Sequence, residues 1–429
     1  MENFFTIAEV SDKFNLSQKT IRRKIASGDL VAIKIGSSYR ISEDNLNDFI
    51  SKNTIKSKLV AIDNCSDKVL VENNIKIKKK SANNYRNNHK DAVNWCDVSD
   101  LWDNSSQTDL TFVDLFSGAG GITKGFELAG LQGICGLDFF KEAGMTYRRN
   151  FKHPFIEGDI KLKENKELFY ETVKQQLDGR KLNVVAGGFP CQGFSMAGNR
   201  IVEDPRNSLY KELLEIVTTL QPEFVVCENV VGLRSMLEGK VEEMILEDFK
   251  MAGYEMNVTV LRAADYKVPQ KRDRVIFIGN RINKTNYHPK PLLEEENYIT
   301  TGQAIKDLMS LSEDKSFNHV PTRHKPEMVE RMLQLEEGKS LYKGYSDSWK
   351  KCPWNEASCT IKENHGGVNV HPKLGRVLTA REMARIQSFP DDFIFEGPKN
   401  KQLIQLGNAV PPLLSKAIGL AIMKAYENK

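Results

Sequence analysis

The sequence predicts an α/β protein whose main domain is a doubly wound, Rossmann-like sheet. From residue 109 onward, short apolar runs that end in Gly, Asp or Pro alternate with helical stretches, which is typical of βαβ units in a mostly parallel sheet. The chain has 429 residues, of which 40% are hydrophobic, and this is enough for two or three packed domains. A polar stretch rich in Asn and Lys follows the first 50 residues, so we expect a separate module at the start of the chain.

These changes in composition divide the chain into five segments. We expect a helix-turn-helix module at 1–50, a basic linker at 51–108, the main sheet domain at 109–280, a small inserted domain at 281–375 and a C-terminal return to the main domain at 376–429.

Charge and cysteine content limit the class of protein. The net charge is +4, and residues 51–90 carry ten basic and three acidic side chains; a nucleic-acid partner and a solvated linker both fit this excess. The seven cysteines have no regular spacing and predict no disulfide framework. The chain begins without a signal-peptide pattern, and no stretch approaches the roughly 18 apolar residues of a membrane span. We therefore expect a cytoplasmic protein without a membrane partner.

The first 50 residues have the pattern of a small winged helix-turn-helix. Ile7 and Val10 begin a helical spacing, a second helix follows, and a hairpin is expected around Gly36-Ser37-Ser38. The segment resembles the helix-turn-helix modules of excisionase and MerR-type proteins. The resemblance implies that Arg22 and Arg23 lie on a recognition helix that contacts DNA, although some modules of this kind bind protein instead.

The ends of the first three strands predict an adenosine pocket. The strand TFVDLF runs into the glycine turn 114–121, which is not G-x-G-x-x-G and does not favour a pyrophosphate. The second strand ends at Asp138-Phe139, where a carboxylate can accept ribose hydroxyls and a ring can lie on adenine. The third strand ends at Asp159-Ile160, whose carboxylate can bind the adenine amine. The first strand likewise ends at an acid, Asp114. Each of the three acids alone is also explained as an ordinary helix cap, but this explanation is poor for all three together.

The stretch GGFPCQGFSM, residues 187–196, places Cys191 on a turn after an apolar run. Most free cysteines fill space as small apolar residues. A cysteine at a strand end in an open α/β sheet is alternatively a nucleophile, because ligands bind at that edge.

The order of motifs from about residue 109 onward resembles the C5-cytosine DNA methyltransferase family, of the bacterial restriction–modification type. The matching motifs, in family order, are DLFSGAGG (114–121), Asp138-Phe139, Asp159-Ile160, GGFPCQGFS (187–195), DPRNSLYKELLEIV (204–217), ENV (228–230), QKRDRVIFIG (270–279), RVLTAREMARIQSFPDDF (376–393) and QLGNAVPP (405–412). The resemblance implies a Rossmann-like domain that binds S-adenosyl-L-methionine, with a small target-recognition domain at 281–375.

The resemblance assigns four catalytic residues. The Cys191 thiolate adds to carbon 6 of cytosine, which turns carbon 5 into a nucleophile. Glu228 supplies a proton or a strong hydrogen bond to ring nitrogen N3. Arg274 contacts the base carbonyl oxygen, and Arg272 orients the catalytic loop or a phosphate and helps to keep the thiol ionised. The sequence does not identify the base that removes the carbon 5 proton.

The resemblance also implies the residues that hold the cofactor. Phe139 stands where the family often has tryptophan, beside Asp138 where the family has glutamate, and both changes preserve the chemistry. The other expected contacts with S-adenosylmethionine are Phe116, Gly118, Gly120, Asp159, Ile160, Leu209, Asn408 and Ala409.

Carbon 6 is inaccessible in a stacked duplex, so the target cytosine must be flipped out. Gln192 and Ser195 are expected to fill the gap and contact the strand. Thr360 resembles the threonine of a Thr-aliphatic pair near the bases, and Lys362 is expected to contact base edges or phosphates. The spacing of Cys352, Cys359, His365 and His371 lacks a close cysteine pair, so no metal site is predicted.

The sequence therefore predicts a DNA cytosine-5 methyltransferase that acts on double-stranded DNA as a monomer, in the bacterial cytoplasm and associated with the nucleoid. A paired restriction endonuclease is the expected functional partner. Two other classes stay open, a tRNA cytosine-5 methyltransferase and a non-catalytic DNA-binding regulator. The N-terminal module is expected either to bind a promoter or to add affinity for substrate DNA.

Overall fold

The structure is a computed structural model, and it divides into two compact units, Met1–Ile77 and Lys78–Lys429. The residues that it describes are 4–14, 21–22, 24–25, 28–35, 38–53, 93–190, 209–342, 349–362 and 369–427.

The N-terminal unit packs short strands against helices, as the sequence predicts. Its elements are β1 (Phe4–Phe5), α1 (Ile7–Phe14), β2 (Ile33–Ile35), β3 (Ser38–Ser42) and α2 (Glu43–Asn53). The strands pair antiparallel in the order β1-β3-β2, so the predicted hairpin is present. The core of this unit consists of Ile7, Val10, Ile21, Leu30, Ile41 and Leu46.

A seven-stranded sheet forms the centre of the second unit within the described residues. In spatial order its strands are β10 (Glu255–Arg262), β11 (Asp273–Asn280), β9 (Phe224–Val230), β8 (Val184–Gly187), β5 (Thr111–Leu115), β6 (Gln132–Asp138) and β7 (Phe155–Glu157). Strand β11 runs antiparallel to both of its neighbours, and the other pairs are parallel. The sheet is thus mostly parallel, as predicted, with one reversed strand.

Helices cover both faces of this sheet, which confirms the doubly wound fold. Phe112 of β5 packs on one face with the helices α4 (Gly121–Ala129) and α13 (Pro412–Glu427). Val113 packs on the other face with α6 (Lys163–Leu177), α7 (Leu209–Leu220) and α8 (Lys240–Met251). Neighbouring strand residues point to opposite faces, so both faces carry apolar side chains. The helix α5 (Lys141–Asn150) lies between β6 and β7 in the chain.

The last residues of the expected linker belong to the second unit. Strand β4 (Asn94–Cys96) pairs in parallel with β12 (Tyr287–Pro289), and the helix α3 (Ser99–Trp102) follows. Trp102 is buried, and the Lys416 ammonium donates a hydrogen bond to its carbonyl.

A smaller region follows β12. Its elements are α9 (Thr301–Ile305), α10 (Pro326–Gln334), β13 (Lys350–Lys351) and β14 (Asn369–Val370). The chain then returns through α11 (Ala380–Ile386) and α12 (Lys399–Asn408) to α13. Short 3-10 helices lie at Val231–Gly239, Ala263–Tyr266, Glu295–Asn297 and Asp307–Ser310. The stretch Lys399–Glu427 is long and apolar enough for a membrane span by composition, but 83% of its most apolar window is buried inside the protein, as in a core helix.

Candidate active site

Several predicted site residues that the structure describes lie at one edge of the large sheet. The strands β5 to β9 are parallel, so their carboxyl ends lie at the same edge. Strand β11 runs in the opposite direction, so its first residues reach that edge as well. This edge is where open α/β sheets bind ligands.

Glu228 and Arg274 form an ion pair at this edge. Arg274 lies opposite Val230 in the ladder between β11 and β9, so its side chain reaches Glu228 two residues away. The Arg274 Nε atom is 2.6 Å from Glu228 Oε1, and both side chains are nearly buried. The arginine fixes the direction of the carboxylate and compensates its charge. The structure therefore brings together the two residues expected to contact the cytosine ring.

The chain before the predicted nucleophile runs beside Glu228. A Cβ atom at Gly188 would lie 2.9 Å from Glu228 Oε2, so a side chain at this position would press against the carboxylate. The Asn229 side-chain amide donates to the Phe189 carbonyl at 2.9 Å and fastens the same stretch to β9. Cys191, Gln192 and Ser195 come directly afterwards and lie outside the described residues, as does Arg23. Arg22 is described and exposed.

Arg272 is buried, and it joins three parts of the second unit. Its guanidinium donates to the Ile361 carbonyl at 2.7 Å and to the Gly407 carbonyl at 3.0 Å. Burial lowers its pKa well below the usual arginine value. Its Nε has no partner within the described part of the chain. The described contacts of Arg272 therefore tie the start of β11 to the small region and to α12.

Two further hydrogen bonds hold the segment that carries Thr360 and Lys362. The Gln270 side-chain oxygen accepts from the Ile361 amide at 2.8 Å, and the Thr360 hydroxyl donates to the Lys271 carbonyl at 2.9 Å. Because the Thr360 hydroxyl proton is already donated to this carbonyl, Thr360 can take part in a further hydrogen bond only as an acceptor. Lys362 is exposed at the end of this segment.

The glycine turn after β5 has an unusual backbone. Phe116 has φ 55°, Gly118 has φ 53° and Gly120 has φ 90°. Such positive values are uncommon outside glycine. Asp138 closes the turn, because its carboxylate accepts hydrogen bonds from the Gly118 and Phe140 amides, both at 2.8 Å. Burial raises the pKa of Asp138.

Other expected cofactor contacts differ in exposure. Phe139 is 74% exposed beside the turn, so its ring is available to a ligand. Asp159 is exposed two residues beyond the end of β7, whereas Ile160 is buried. Leu209 begins α7 and is half-buried.

The C-terminal segment that carries Asn408 and Ala409 folds back against the glycine turn. A Cβ atom at Gly121 would lie 2.1 Å from the Val410 carbonyl oxygen. Only glycine allows this approach. Asn408 is exposed at the end of α12, and Ala409 is buried.

Residues 110–424 match the family described as C-5 cytosine-specific DNA methylase. The chain belongs to this family. Residues 4–54 separately match a helix-turn-helix domain.

Named relatives agree with this assignment. The Type II methyltransferase M1.HphI of Haemophilus parahaemolyticus is 38% identical over 75% of this chain and 88% of its own length. The Type II methyltransferase M.DdeI of Desulfomicrobium norvegicum is 32% identical over 74% of this chain and 90% of its own length. A crystal structure described as a candidate DNA modification methyltransferase of an Escherichia coli prophage has 23% identity and a TM-score of 0.60, over 75% of this chain and 100% of that one, and supports the fold.

The methylase domain also contains a buried polar chain that sequence reasoning missed. Asp114 accepts hydrogen bonds from the Thr123 amide (3.1 Å) and hydroxyl (2.6 Å), and the Thr123 hydroxyl contacts the Tyr147 hydroxyl at 3.0 Å. The Tyr147 hydroxyl lies 2.8 Å from His153 Nε2. Burial raises the pKa of Asp114 to about 7 and lowers that of His153 to about 4. An aspartate inside the apolar run TFVDLF was the available signal.

Of the four residues with candidate zinc-ligand side chains, the structure describes Cys352, Cys359 and His371. The Cys352 and Cys359 sulfurs lie 3.9 Å apart, but the His371 ring accepts the Lys373 amide through Nδ1. Within the described ranges no group of three or more possible ligands is present, and His365 lies outside them.

Proposed function

We propose that this protein is a DNA cytosine-5 methyltransferase that modifies a short duplex site as half of a restriction–modification system. The observation that carries this proposal is the Glu228–Arg274 ion pair, which lies beside the strand that leads to Cys191. A carboxylate and a guanidinium at one point match the N3 and carbonyl edge of cytosine. Membership of the methylase family and two relatives named as Type II methyltransferases support it.

The chain's own residues have distinct tasks in the proposed reaction. The Cys191 thiolate adds to carbon 6, and the bond electrons move through the ring to make carbon 5 nucleophilic. Glu228 holds a proton at N3 as negative charge develops there, and Arg274 contacts the carbonyl oxygen. When carbon 5 later loses its proton, the thiolate is expelled and the ring is restored.

The glycine turn fits S-adenosylmethionine, which supplies the methyl group when bound. A Cβ atom at Gly118 would meet no other atom within 4 Å, so the turn opens onto free space. Phe139 directly follows Asp138, which binds the Gly118 amide, and its exposed ring offers a stacking surface for adenine. Asp138 keeps lone pairs for ribose hydroxyls beyond the two amides that it accepts.

Bisulfite sequencing tests the proposal directly. DNA from a methylation-free host that expresses the protein is compared with DNA from a host that expresses Cys191→Ala. Protected cytosines at one short motif, absent in the variant, are expected. Complete conversion in both samples would contradict the proposal, and methyl transfer to tRNA or promoter repression would then be measured.

A deletion separates the two roles proposed for the N-terminal module. We propose that the module binds DNA, because Arg22 is exposed next to the buried Ile21 of its core. Removal of residues 1–60 with unchanged methylation but lost promoter binding would support a regulatory role. Loss of methylation would support a role in substrate binding. Sedimentation of the full chain tests the proposal that one copy acts alone.

A further inference from the structure

Two cysteines of the small region lie in contact, although the proposed reaction uses neither. The Sγ atoms of Cys352 and Cys359 are 3.9 Å apart. Cys352 is fully buried, whereas Cys359 is half-buried as a residue. Burial raises the thiol pKa of three other described cysteines, Cys96, Cys135 and Cys227. Cys359 differs from these three cysteines because the pKa of its thiol is lowered.

Polar groups around the pair favour a thiolate on Cys359. The Asn369 side-chain amide donates to the Cys359 sulfur at 3.3 Å. The Ser358 hydroxyl lies 3.0 Å from the Cys359 carbonyl oxygen and 3.4 Å from the Cys352 sulfur. The hydrogen bond from the Cys352 thiol, with help from the Lys350 charge, lowers the pKa of Cys359 to about 7. The hydrogen bond to Cys359 and burial raise the pKa of Cys352. A thiolate next to a thiol is the arrangement of a reactive dithiol.

The pair is connected to the predicted DNA-contacting segment. Cys359 directly precedes Thr360, which is bonded to the Lys271 carbonyl, and Ile361, which is bonded to Arg272. The sulfurs of a disulfide are about 2.05 Å apart. The two sulfurs must therefore approach by almost half of their present distance. Any shift of the Cys359 backbone that accompanies this approach is passed directly to Thr360 and Ile361.

We propose that Cys352 and Cys359 form a redox-modifiable site, in which a peroxide converts the dithiol to a disulfide and thereby weakens the binding of substrate DNA. The effect on DNA rests on the proposed function, whereas the formation of the disulfide does not.

The chemistry balances with hydrogen peroxide or an alkyl hydroperoxide as the oxidant. The Cys359 thiolate attacks a peroxide oxygen, the O–O bond breaks, and a sulfenic acid forms while the leaving oxygen takes a proton. The Cys352 sulfur then attacks the sulfenic sulfur, the S–O bond breaks, and the hydroxide leaves as water with the Cys352 proton. The two sulfurs lose two electrons, which the peroxide gains. A thiol reductant reverses the reaction.

Mass spectrometry tests disulfide formation without reference to activity. Trypsin cleaves after Lys351 and Lys362, so both cysteines lie on one peptide, 352–362. After peroxide treatment of the folded protein and blocking of free thiols, this peptide should carry no blocking group and weigh two hydrogens less than the reduced peptide. Peptides with Cys135 and Cys227 should remain blocked. Sulfinic acid on Cys359, or two blocked thiols on the peptide, would overturn the proposal.

DNA binding tests the consequence. In a Cys191→Ser background, which removes the predicted nucleophile, fluorescence anisotropy is measured with a labelled duplex that carries the motif protected in the bisulfite experiment. Peroxide should weaken binding about fivefold or more, the size of the loss of one base contact, and dithiothreitol should restore it. Adding Cys352→Ala or Cys359→Ser should abolish the response, whereas Cys96→Ala should preserve it.

Each outcome has a separate meaning. A disulfide without a change in DNA affinity would overturn the proposed coupling. A response that persists in both cysteine variants would overturn the assignment to this pair. Failure of the reduced protein to bind the duplex would contradict the proposed function, while the peptide masses would still decide whether the dithiol is redox-modifiable. Circular dichroism checks the folding of each variant.

Discussion

The two halves of the sheet edge bind their carboxylates with different groups, a charged side chain in one half and uncharged hydrogen-bond donors in the other. In the half formed by β8, β9 and β11, which we call the base half, Glu228 pairs with Arg274 at 2.6 Å. In the half formed by β5, β6 and β7, which we call the cofactor half, Asp138 accepts backbone amides and Asp114 accepts a threonine amide and hydroxyl. Burial raises the pKa of both of these aspartates.

The difference shows how each half is assembled. The base half depends on charged side chains that the strand register brings together, so a single side chain controls its chemistry. The cofactor half depends on a glycine turn against which other backbone packs closely, and on two buried aspartates with raised pKa values. Steric fit and the protonation of these aspartates therefore control its stability. Substitutions in the two halves should therefore fail in different assays.

Glu228→Gln should have the largest effect. The glutamine side chain preserves the shape of the glutamate but supplies no carboxyl proton at N3, so the rate of methyl transfer should fall by about 10²–10⁴-fold. Transfer of labelled methyl groups to duplex DNA measures this. The matched control is Glu223→Gln, because Glu223 precedes the opposite end of β9, where it accepts bonds from Asn183 and Tyr426. Equal losses in both variants would contradict a special role for Glu228.

Gly121→Ala should break the cofactor half through packing. The new methyl group would lie 2.1 Å from the Val410 carbonyl oxygen, so the C-terminal segment must move. We expect the free energy of unfolding to fall by about 3 kcal/mol, together with the affinity for S-adenosylmethionine. Urea unfolding and calorimetry measure the two effects. Gly232→Ala is the control, because its Cβ would meet nothing within 4 Å; an unchanged Gly121→Ala protein would refute the close approach.

Asp114 and His153 should give opposite pH dependences of stability. Asp114 has its pKa raised to about 7, so its contribution to stability is present below about pH 4 and is lost as the pH rises through about 7. His153 has its pKa lowered to about 4, so its contribution is present above about pH 6.5 and is lost as the pH falls towards 4. Between these limits the two slopes oppose each other.

Urea unfolding between pH 5 and pH 6.5 separates the two groups. Relative to the unsubstituted protein, Asp114→Asn should gain stability as the pH rises, and His153→Gln should lose stability, each by about 1 kcal/mol per pH unit. Taking the difference from the unsubstituted protein cancels the titration of all other groups. If the free energy of unfolding changes with pH in the same way in both variants, the pKa values of Asp114 and His153 are not shifted in opposite directions, and the prediction is wrong.

Phe139→Ala should have the smallest effect, confined to the cofactor. The ring is 74% exposed, so its removal should leave the free energy of unfolding unchanged. If adenine lies on this ring, calorimetry should show that S-adenosylmethionine binds about threefold to tenfold more weakly, corresponding to one aromatic contact. Leu162→Ala, which removes another exposed apolar side chain, is the control and should leave the affinity for S-adenosylmethionine unchanged. An unchanged affinity in Phe139→Ala as well would show that adenine does not lie on this ring.

Local patterns were sufficient for much of the fold. Apolar runs bounded by Gly, Asp and Pro predicted strands such as β5 and β9, because burial and turn chemistry are written locally in the sequence. The reversed direction of β11 was not predictable in this way, since a strand has the same apolar pattern in either direction. The linker was expected to extend to residue 108, and its last part forms β4 and α3, which belong to the second unit and bury Trp102. Their docking depends on β12, almost two hundred residues later in the chain.

The sequence by itself determined the family, the order of the motifs and the residue types at the strand ends, because each of these is a local pattern. The tertiary structure decided which of them meet. It placed Arg274 against Glu228 through the antiparallel register of β11. It brought the Arg272 guanidinium within hydrogen-bond distance of the Ile361 and Gly407 carbonyls. It also placed the Cys352 and Cys359 sulfurs in contact, where spacing alone indicated no site. Contacts between distant residues depend on strand direction and on packing, and neither is contained in any single stretch of the sequence.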